Sequence, residues 1–140
     1  GQDDNKLTWA NIFVNYNYQL YLKHMLPLYE EYDVILVATD KADIDNLPFK
    51  VKKHFGIGPL AWKDDYNLID EVKQYIDTEK IKDSLFLFCA GPLGNMMSHQ
   101  LWEYNKDNTY LDIGSTLDRH FGLGQTRSYL QGNNNKICIW

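Results

Sequence analysis

The sequence predicts an α/β sandwich built on a mostly parallel sheet. Three features carry that expectation. Ser84 to Ala90 is an almost unbroken apolar run, as a strand buried on both faces requires. The turn Gly91-Pro92-Leu93-Gly94 follows, and from Asn95 the apolar spacing becomes helical, with Met96, Met97, Leu101 and Trp102 able to share one side. Asn105 to Asn108 is a polar turn, and Tyr110 to Ile113 is a second short apolar run closed by Gly114. Strand, glycine turn, helix and strand make one βαβ unit. Ligands of such sheets sit outside the carboxyl ends of the strands, so the turns at Gly91 and Gly114 are where a site is expected.

Taken in order, Gly1 to Lys6 is polar and reads as loose chain. Thr8 to Val14 reads as a first strand. Asn15-Tyr16-Asn17-Tyr18 suits a turn or a helix cap. Gln19 to Tyr32 has the broad apolar face of a helix, with Pro27 placed to kink or divide it. Asp33 to Ala38 is the clearest strand, with Thr39 and Asp40 at its carboxyl end. Lys41 to Pro48 reads as a loop or short helix, Lys50 to Phe55 as a short strand and Gly56 to Pro59 as a turn. Asp64 or Asp65 is placed to cap a helix running to about Asp77, with Leu68, Ile69, Val72 and Ile76 buried. The βαβ unit follows. Ser115 to Tyr129 is glycine-rich and irregular, a pattern that often carries function beside a strand end. Gln131 to Asn135 is a polar turn, and Lys136 to Trp140 reads as a last strand. No repeat or linker divides the chain, so residues 1–140 are expected to form one Rossmann-like, three-layer domain.

With 140 residues, 44% of them hydrophobic, the chain can bury a real core. A net charge of -5 and a pI near 5.2 argue against nucleic acid as a partner, which needs a basic surface. The longest apolar run falls far short of the ~20 residues of a spanning helix. Cys89 lies in the buried-strand pattern and Cys138 in the terminal Ile-Cys-Ile-Trp, so both read as core thiols rather than a disulfide. No CxxC or His-x-x-x-His spacing supports a metal site. A reducing, cytoplasmic setting fits this cysteine usage.

Several residues have the chemistry a site needs. Backbone N–H groups in the Gly91-Pro92-Leu93-Gly94 turn are placed to hold an anion at a helix start, or the turn simply requires glycine. It is not G-x-G-x-x-G, and no G-x-x-x-x-G-K-[ST] occurs, so standard dinucleotide and P-loop readings lose support. Asp112 ends a strand and Asp118 lies in the loop beyond. Either carboxylate can act as a base, bind a sugar hydroxyl or cap a helix. Arg127 can clamp a phosphate or carboxylate, or remain a solvated surface group. His99 falls within a helix and suits a structural role, whereas His120 lies in the loop and is better placed for proton transfer.

Phe86 to Asp118 resembles the carboxyl-terminal half of GT-D-type bacterial glycosyltransferases, in Gly91-Pro92, Asp112-Ile113-Gly114 and Asp118. The chain also resembles a looser set of bacterial relatives of that family. The shared motifs are Val14 to Tyr18, Gly114 to Asp118, Thr126 to Tyr129 and Cys138 to Trp140. The resemblance implies transfer of a sugar from a nucleotide-sugar donor to a glycan acceptor. On that reading Gly91 and Pro92 approach the donor, Asp112 or Asp118 binds a sugar hydroxyl or serves as base, and Arg127 stabilises leaving diphosphate charge. Asn15, Asn17, Asp40, Gly114, Ser115 and Tyr129 would line the same rim. The family's Asp-x-Glu motif, which binds metal and donor diphosphate, does not occur here, and its histidine after Asp-Ile-Gly is Ser115. A divalent Mn or Mg ion is therefore expected only with an upstream segment, the chain then being the carboxyl-terminal part of a longer enzyme. The alternatives are a non-catalytic sugar- or nucleotide-binding or structural module, and a Rossmann-type methyltransferase using S-adenosylmethionine.

Overall fold

The computed structural model describes residues 12–131. Four strands form one parallel sheet: β1 (Val34–Thr39), β2 (Val51–Ile57), β3 (Leu85–Phe88) and β4 (Thr109–Asp112), in the order β2-β1-β3-β4. The fold is the expected α/β sandwich with a Rossmann-like sheet. Val34 to Ala38 and Leu85 to Phe88 are buried throughout. Ile35, Val37, Phe86 and Phe88 face one apolar layer, and Val34, Leu36, Ala38, Leu85 and Leu87 face the other. Burial on both faces is why these strands read as continuous apolar runs instead of alternating.

Helices α2 (Ala61–Asp64), α3 (Leu68–Thr78) and α4 (Pro92–Tyr104) supply the first layer. Ile69, Val72, Ile76, Met97 and Leu101 pack there on Phe86 and Phe88. The second layer comes from the amino-terminal helical segment and the irregular carboxyl-terminal chain, through Tyr18, Tyr21, Tyr29, Leu117, Phe121 and Tyr129. The connection from β1 to β2 runs on this second face, through Ile44 and Leu47. The later crossovers run the opposite way along the sheet and on the opposite face, so all three share one hand.

The amino-terminal segment departs from a simple helix for a reason visible in the sequence. A 3-10 turn (Asn15–Asn17) leads into α1 (Tyr18–Leu20), a π-helical stretch (Tyr21–Met25) and a 3-10 stretch (Leu26–Glu31). Pro27 has no N–H, and its ring would strike the carbonyl four residues back. The chain widens just before it, and the Leu26 N–H reaches the Tyr21 carbonyl, five residues back.

Four boundaries differ from expectation. Ile12 to Val14 form a turn, not the end of a strand, because the Val14 carbonyl already accepts the Asn17 N–H at 3.1 Å. The rest of the expected first strand, from Thr8, and the expected last strand, Lys136 to Trp140, lie outside the described residues. Gly56 and Ile57 belong to β2, since Ile57 pairs with Thr39 and is buried. Neither Asp64 nor Asp65 caps α3. Asp65 Oδ2 instead accepts the Gly58 N–H at 2.9 Å, tying the end of β2 to the helical layer. Finally, α4 begins at Pro92 rather than Asn95, because proline suits the first helical position, where no intrahelical N–H bond is lost. Among the described residues no helix is long and apolar enough to cross a membrane.

Candidate functional site

The chain leaves β1 toward β2 but leaves β3 toward β4, in opposite directions along the sheet. The carboxyl ends of β1 and β3 therefore flank the topological switch point. Thr39 and Asp40 stand on one side, and Cys89, Ala90 and Gly91 on the other. Asp112 ends the neighbouring β4, in register with Phe88.

The two glycines of the turn do different work. Gly91 has φ +53° and ψ -137°, a conformation that favours glycine, and nothing approaches within 4 Å of where its Cβ would be. Gly91 and Pro92 are exposed. Gly94 is buried inside α4, and a Cβ there would stand 3.2 Å from Phe88 Cβ and 3.3 Å from Asp112 Cγ. Gly94 thus lets α4 lie close on β3 and β4. The Asp112 carboxyl is thereby held against the first turn of α4, where helix N–H groups favour negative charge. A ligand phosphate placed in the same turn would meet a carboxylate already there, so the geometry suits neutral hydroxyls better than the anion that the turn alone suggested.

Asp112 Oδ1 accepts the Gly114 N–H at 3.1 Å, and Gly114 has φ +54° with open space around it. Among the described residues Asp112 Oδ2 has no hydrogen-bond partner. Burial raises the proton affinity of Asp112 above the ordinary 3.8, opposed by the Gly114 N–H. The native state therefore holds the proton more tightly than the unfolded chain does. This contribution to stability is complete below the ordinary pKa and is lost as pH rises through the raised native value. Near neutral pH the ionised carboxyl is a cost to the fold. Asp112→Asn keeps an acceptor for the Gly114 N–H, and we expect it to raise the urea midpoint near neutral pH. The gain should vanish at about pH 3, where both states of the wild type are protonated. Equal midpoints near neutral pH would show that the carboxylate carries no burial cost.

Asp118 does not join Asp112. Asp112 lies on the α4 side, whereas Asp118 follows Leu117 into the second apolar layer. Its Oδ2 accepts the Thr126 hydroxyl. Burial raises its proton affinity, and the Thr126 bond and the Arg127 charge oppose that rise. Arg127 is exposed and belongs with Asp118. Ser115 Oγ and Tyr129 Oη are 2.6 Å apart, and the Tyr129 ring meets Tyr18 edge-on at 5.0 Å. Tyr18 Oη donates to the Thr116 carbonyl at 3.0 Å, and Thr116 Oγ1 to Tyr21 Oη at 3.2 Å. The Asn15–Asn17 turn, with Asn15 and Asn17 half-buried, packs on the turn Ser128–Gln131. Three of the short motifs, Val14 to Tyr18, Gly114 to Asp118 and Thr126 to Tyr129, thus meet in one knot of aromatic rings and hydrogen bonds. The fourth, Cys138 to Trp140, lies outside the described residues.

The remaining candidates scatter. Asp40 is exposed and turned toward β2, its N–H on the Ile57 carbonyl at 3.1 Å. A Cβ on Gly56 would stand 3.3 Å from Asp40 Cα and Cβ. Cys89 is half-buried rather than fully enclosed. Burial, then Asp118 and Asp112, push its thiol well above the ordinary value, which keeps it protonated and unreactive. His99 is exposed on α4. His120 has Nδ1 buried without a hydrogen-bond partner among the described residues, and burial and Arg119 lower its proton affinity. Among the described residues no three His, Cys, Asp or Glu side chains gather to hold a metal ion. A cleft of about 750 Å³ opens between Glu30, Tyr32, Phe49 and Val51, beside the start of β2, and contains none of the expected site residues.

One further signal in the sequence is Gly56-Ile57-Gly58-Pro59-Leu60-Ala61, which fits G-x-G-x-x-A from the last two residues of β2 to the first of α2. It forms no phosphate cradle. The Gly58 N–H is taken by Asp65, and α2 has only 4 residues.

No model of a known protein family, no curated protein and no solved structure matches this chain. What fold and site define is a Rossmann-like parallel α/β domain with an oriented carboxylate at the carboxyl end of its strands.

Proposed function

We propose that this chain is the nucleotide-sugar-binding part of a GT-D-like glycosyltransferase of bacterial glycan synthesis, with Asp112 receiving hydroxyls of the donor. One observation carries the reading. The unit from β3 through the Gly91 turn and α4 to β4 ends on Asp112, whose Oδ1 is fixed by the Gly114 N–H while Oδ2 makes no hydrogen bond among the described residues. Strand, glycine turn, helix, strand and terminal acid is the order by which parallel α/β folds hold a ribose diol. The open side of Gly91 lets the donor approach the backbone closely. Arg127 lies with Asp118 in the other layer, so the leaving diphosphate would be met by a cation brought with an upstream segment, as the resemblance implies.

A second reading, a binding module without transfer, draws support from the partners of the two carboxylates, since Asp112 is bonded to the Gly114 N–H and Asp118 to the Thr126 hydroxyl and not to each other. Methyl transfer from S-adenosylmethionine shares the ribose chemistry and enters as an arm of the test. Thermal unfolding of the chain would be followed with UDP, GDP, CDP and their sugar conjugates, with and without manganese, and with S-adenosylmethionine. A ligand that binds only the folded state raises the midpoint by about 2.7 kcal/mol of stability at a hundred times its Kd. We expect a rise with one nucleotide sugar that Asp112→Asn abolishes, each protein being compared with its own ligand-free midpoint. A rise with S-adenosylmethionine alone, or an undiminished rise in Asp112→Asn, would overturn the assignment. So would the absence of any rise.

A further inference from the structure

We infer that a cleft on the side of the sheet away from Asp112 binds a small organic oxyanion, a phosphate or carboxylate group carried on an apolar body. The cleft measures about 380 Å³ and is lined by Tyr18, Leu22, Asn46, Arg119 and His120. Sites for small ligands run from about 300 to 1,000 Å³. Asp112 is not among its walls, so the inference does not depend on the nucleotide-sugar reading.

Two ties to backbone carbonyls build the cleft. The Asp43 N–H donates to the Phe121 carbonyl at 3.1 Å, and Asn46 Nδ2 to the His120 carbonyl at 2.8 Å. They fasten the connection after β1 to the loop after β4, so Arg119 and His120 stand at a fixed place opposite Tyr18 and Leu22. Among the described residues no acidic side chain lines the cleft. Asp118, next in sequence, is bonded to Thr126 and faced by the Arg127 charge, though its own charge is also felt at Tyr18. Arg119 is exposed, and among the described residues its guanidinium makes neither an ion pair nor a hydrogen bond. Its planar fork is free for the two oxygens of a carboxylate or phosphate. The accessible nitrogen of His120 is Nε2, because Nδ1 is buried, with no partner among the described residues. Burial and Arg119 favour the neutral ring, which can still donate one hydrogen bond from Nε2. Tyr18 is only 1% exposed and its hydroxyl is spent on the Thr116 carbonyl, so the apolar surface offered to the ligand is that of half-buried Leu22. A single cation, one neutral donor and an apolar wall fit an anionic head on a compact apolar body.

The test is a titration of the chain with phenyl phosphate, benzoate and inorganic phosphate, followed by amide and side-chain NMR. We expect phenyl phosphate or benzoate to shift the resonances of Leu22, Asn46, Arg119 and His120 saturably, and the tighter of the two names the head group. Inorganic phosphate should bind more weakly than phenyl phosphate, since it leaves the apolar wall uncovered. Arg119→Gln should weaken binding about ten- to a hundredfold, the worth of a charged hydrogen bond. It should leave the urea midpoint unchanged, because Arg119 is exposed. Arg119→Lys should fall between, keeping the charge and losing the fork. The inference fails if Arg119→Gln binds as the wild type does, or if the shifts centre on Gly91 and Leu93. It fails equally if inorganic phosphate binds as tightly as phenyl phosphate, or if none of the three anions binds at millimolar concentration.

Discussion

Replacing Phe88 with alanine should cost about 3–5 kcal/mol of stability, the range for removing a large buried aromatic ring. Phe88 is wholly buried, pairs with Val37 on one side and Asp112 on the other, and packs in the layer formed by Leu93, Met97 and Leu101. Its ring fills the floor beneath α4, so its loss leaves a cavity that the sheet cannot close, because both neighbouring strands are pinned by their ladders. Domains of this size have about 5–15 kcal/mol to lose, so the variant should fold but melt early. Urea unfolding should show a lower midpoint with an unchanged slope. Phe88→Leu should lose much less, because it keeps most of the volume. Phe88 also supports the candidate site, since Gly94 lies against its Cβ and Asp112 lies beside Gly94. The variant's NMR changes should therefore extend to Gly91, Gly94 and Asp112. A loss below about 1.5 kcal/mol would mean that the floor relaxes, and that Phe88 does not set the height of α4 over the sheet.

What the sequence discloses depends on which force fixes each element. The strands β1 and β3 are legible because covering on both faces demands unbroken apolar runs, and Val34 to Ala38 and Leu85 to Phe88 are such runs. The edge strand β2 is fainter, because Lys52 and Lys53 are exposed along it. Gly94 reads as part of a turn, yet it serves close packing inside a helix, and only the 3.2 Å and 3.3 Å approaches reveal this. Asp112 is legible as a strand-end carboxylate, since strand ends follow from the apolar pattern. Its separation from Asp118 is not. Ile113 and Leu117 turn into the second layer, and Thr116 is held by Tyr18, 98 residues away in sequence. The glycine-rich stretch from Ser115 to Tyr129 likewise reads as an open functional loop, but much of its polar chemistry is spent internally. Asp118 is bonded to Thr126, Ser115 to Tyr129 and Thr116 to Tyr21. Spacing places groups along a chain, but it does not show which partner a distant segment brings to them.

Asn108 shows the same limit at the other end of the sheet, and replacing it with leucine should cost about 2–6 kcal/mol. In the sequence it closes the polar turn from Asn105 and looks dispensable. In the structure it is buried, and its amide is spent on three hydrogen bonds. Oδ1 accepts the Ser84 N–H at 3.1 Å, while Nδ2 donates to the Ile81 carbonyl and to Asn105 Oδ1, both at 3.0 Å. Asn108 thereby clamps the amino end of β3 to that of β4, where the Thr109 N–H also meets the Ser84 carbonyl at 2.9 Å. Leucine has similar size but no polar atoms, so the Ser84 N–H and the Ile81 carbonyl would both lose their partners. Each buried group left unpaired costs about 1–3 kcal/mol, which sets the estimate. Asn108→Asp should cost less, because it still accepts from Ser84. Hydrogen exchange separates the clamp from a mere loss of polarity. In Asn108→Leu the Ser84 and Thr109 amides should exchange much faster, while amides of β1 follow only the global loss of stability. If Asn108→Leu unfolds at the wild-type urea midpoint, the two strands are aligned by their backbone ladder alone, and the buried amide is incidental to the sheet.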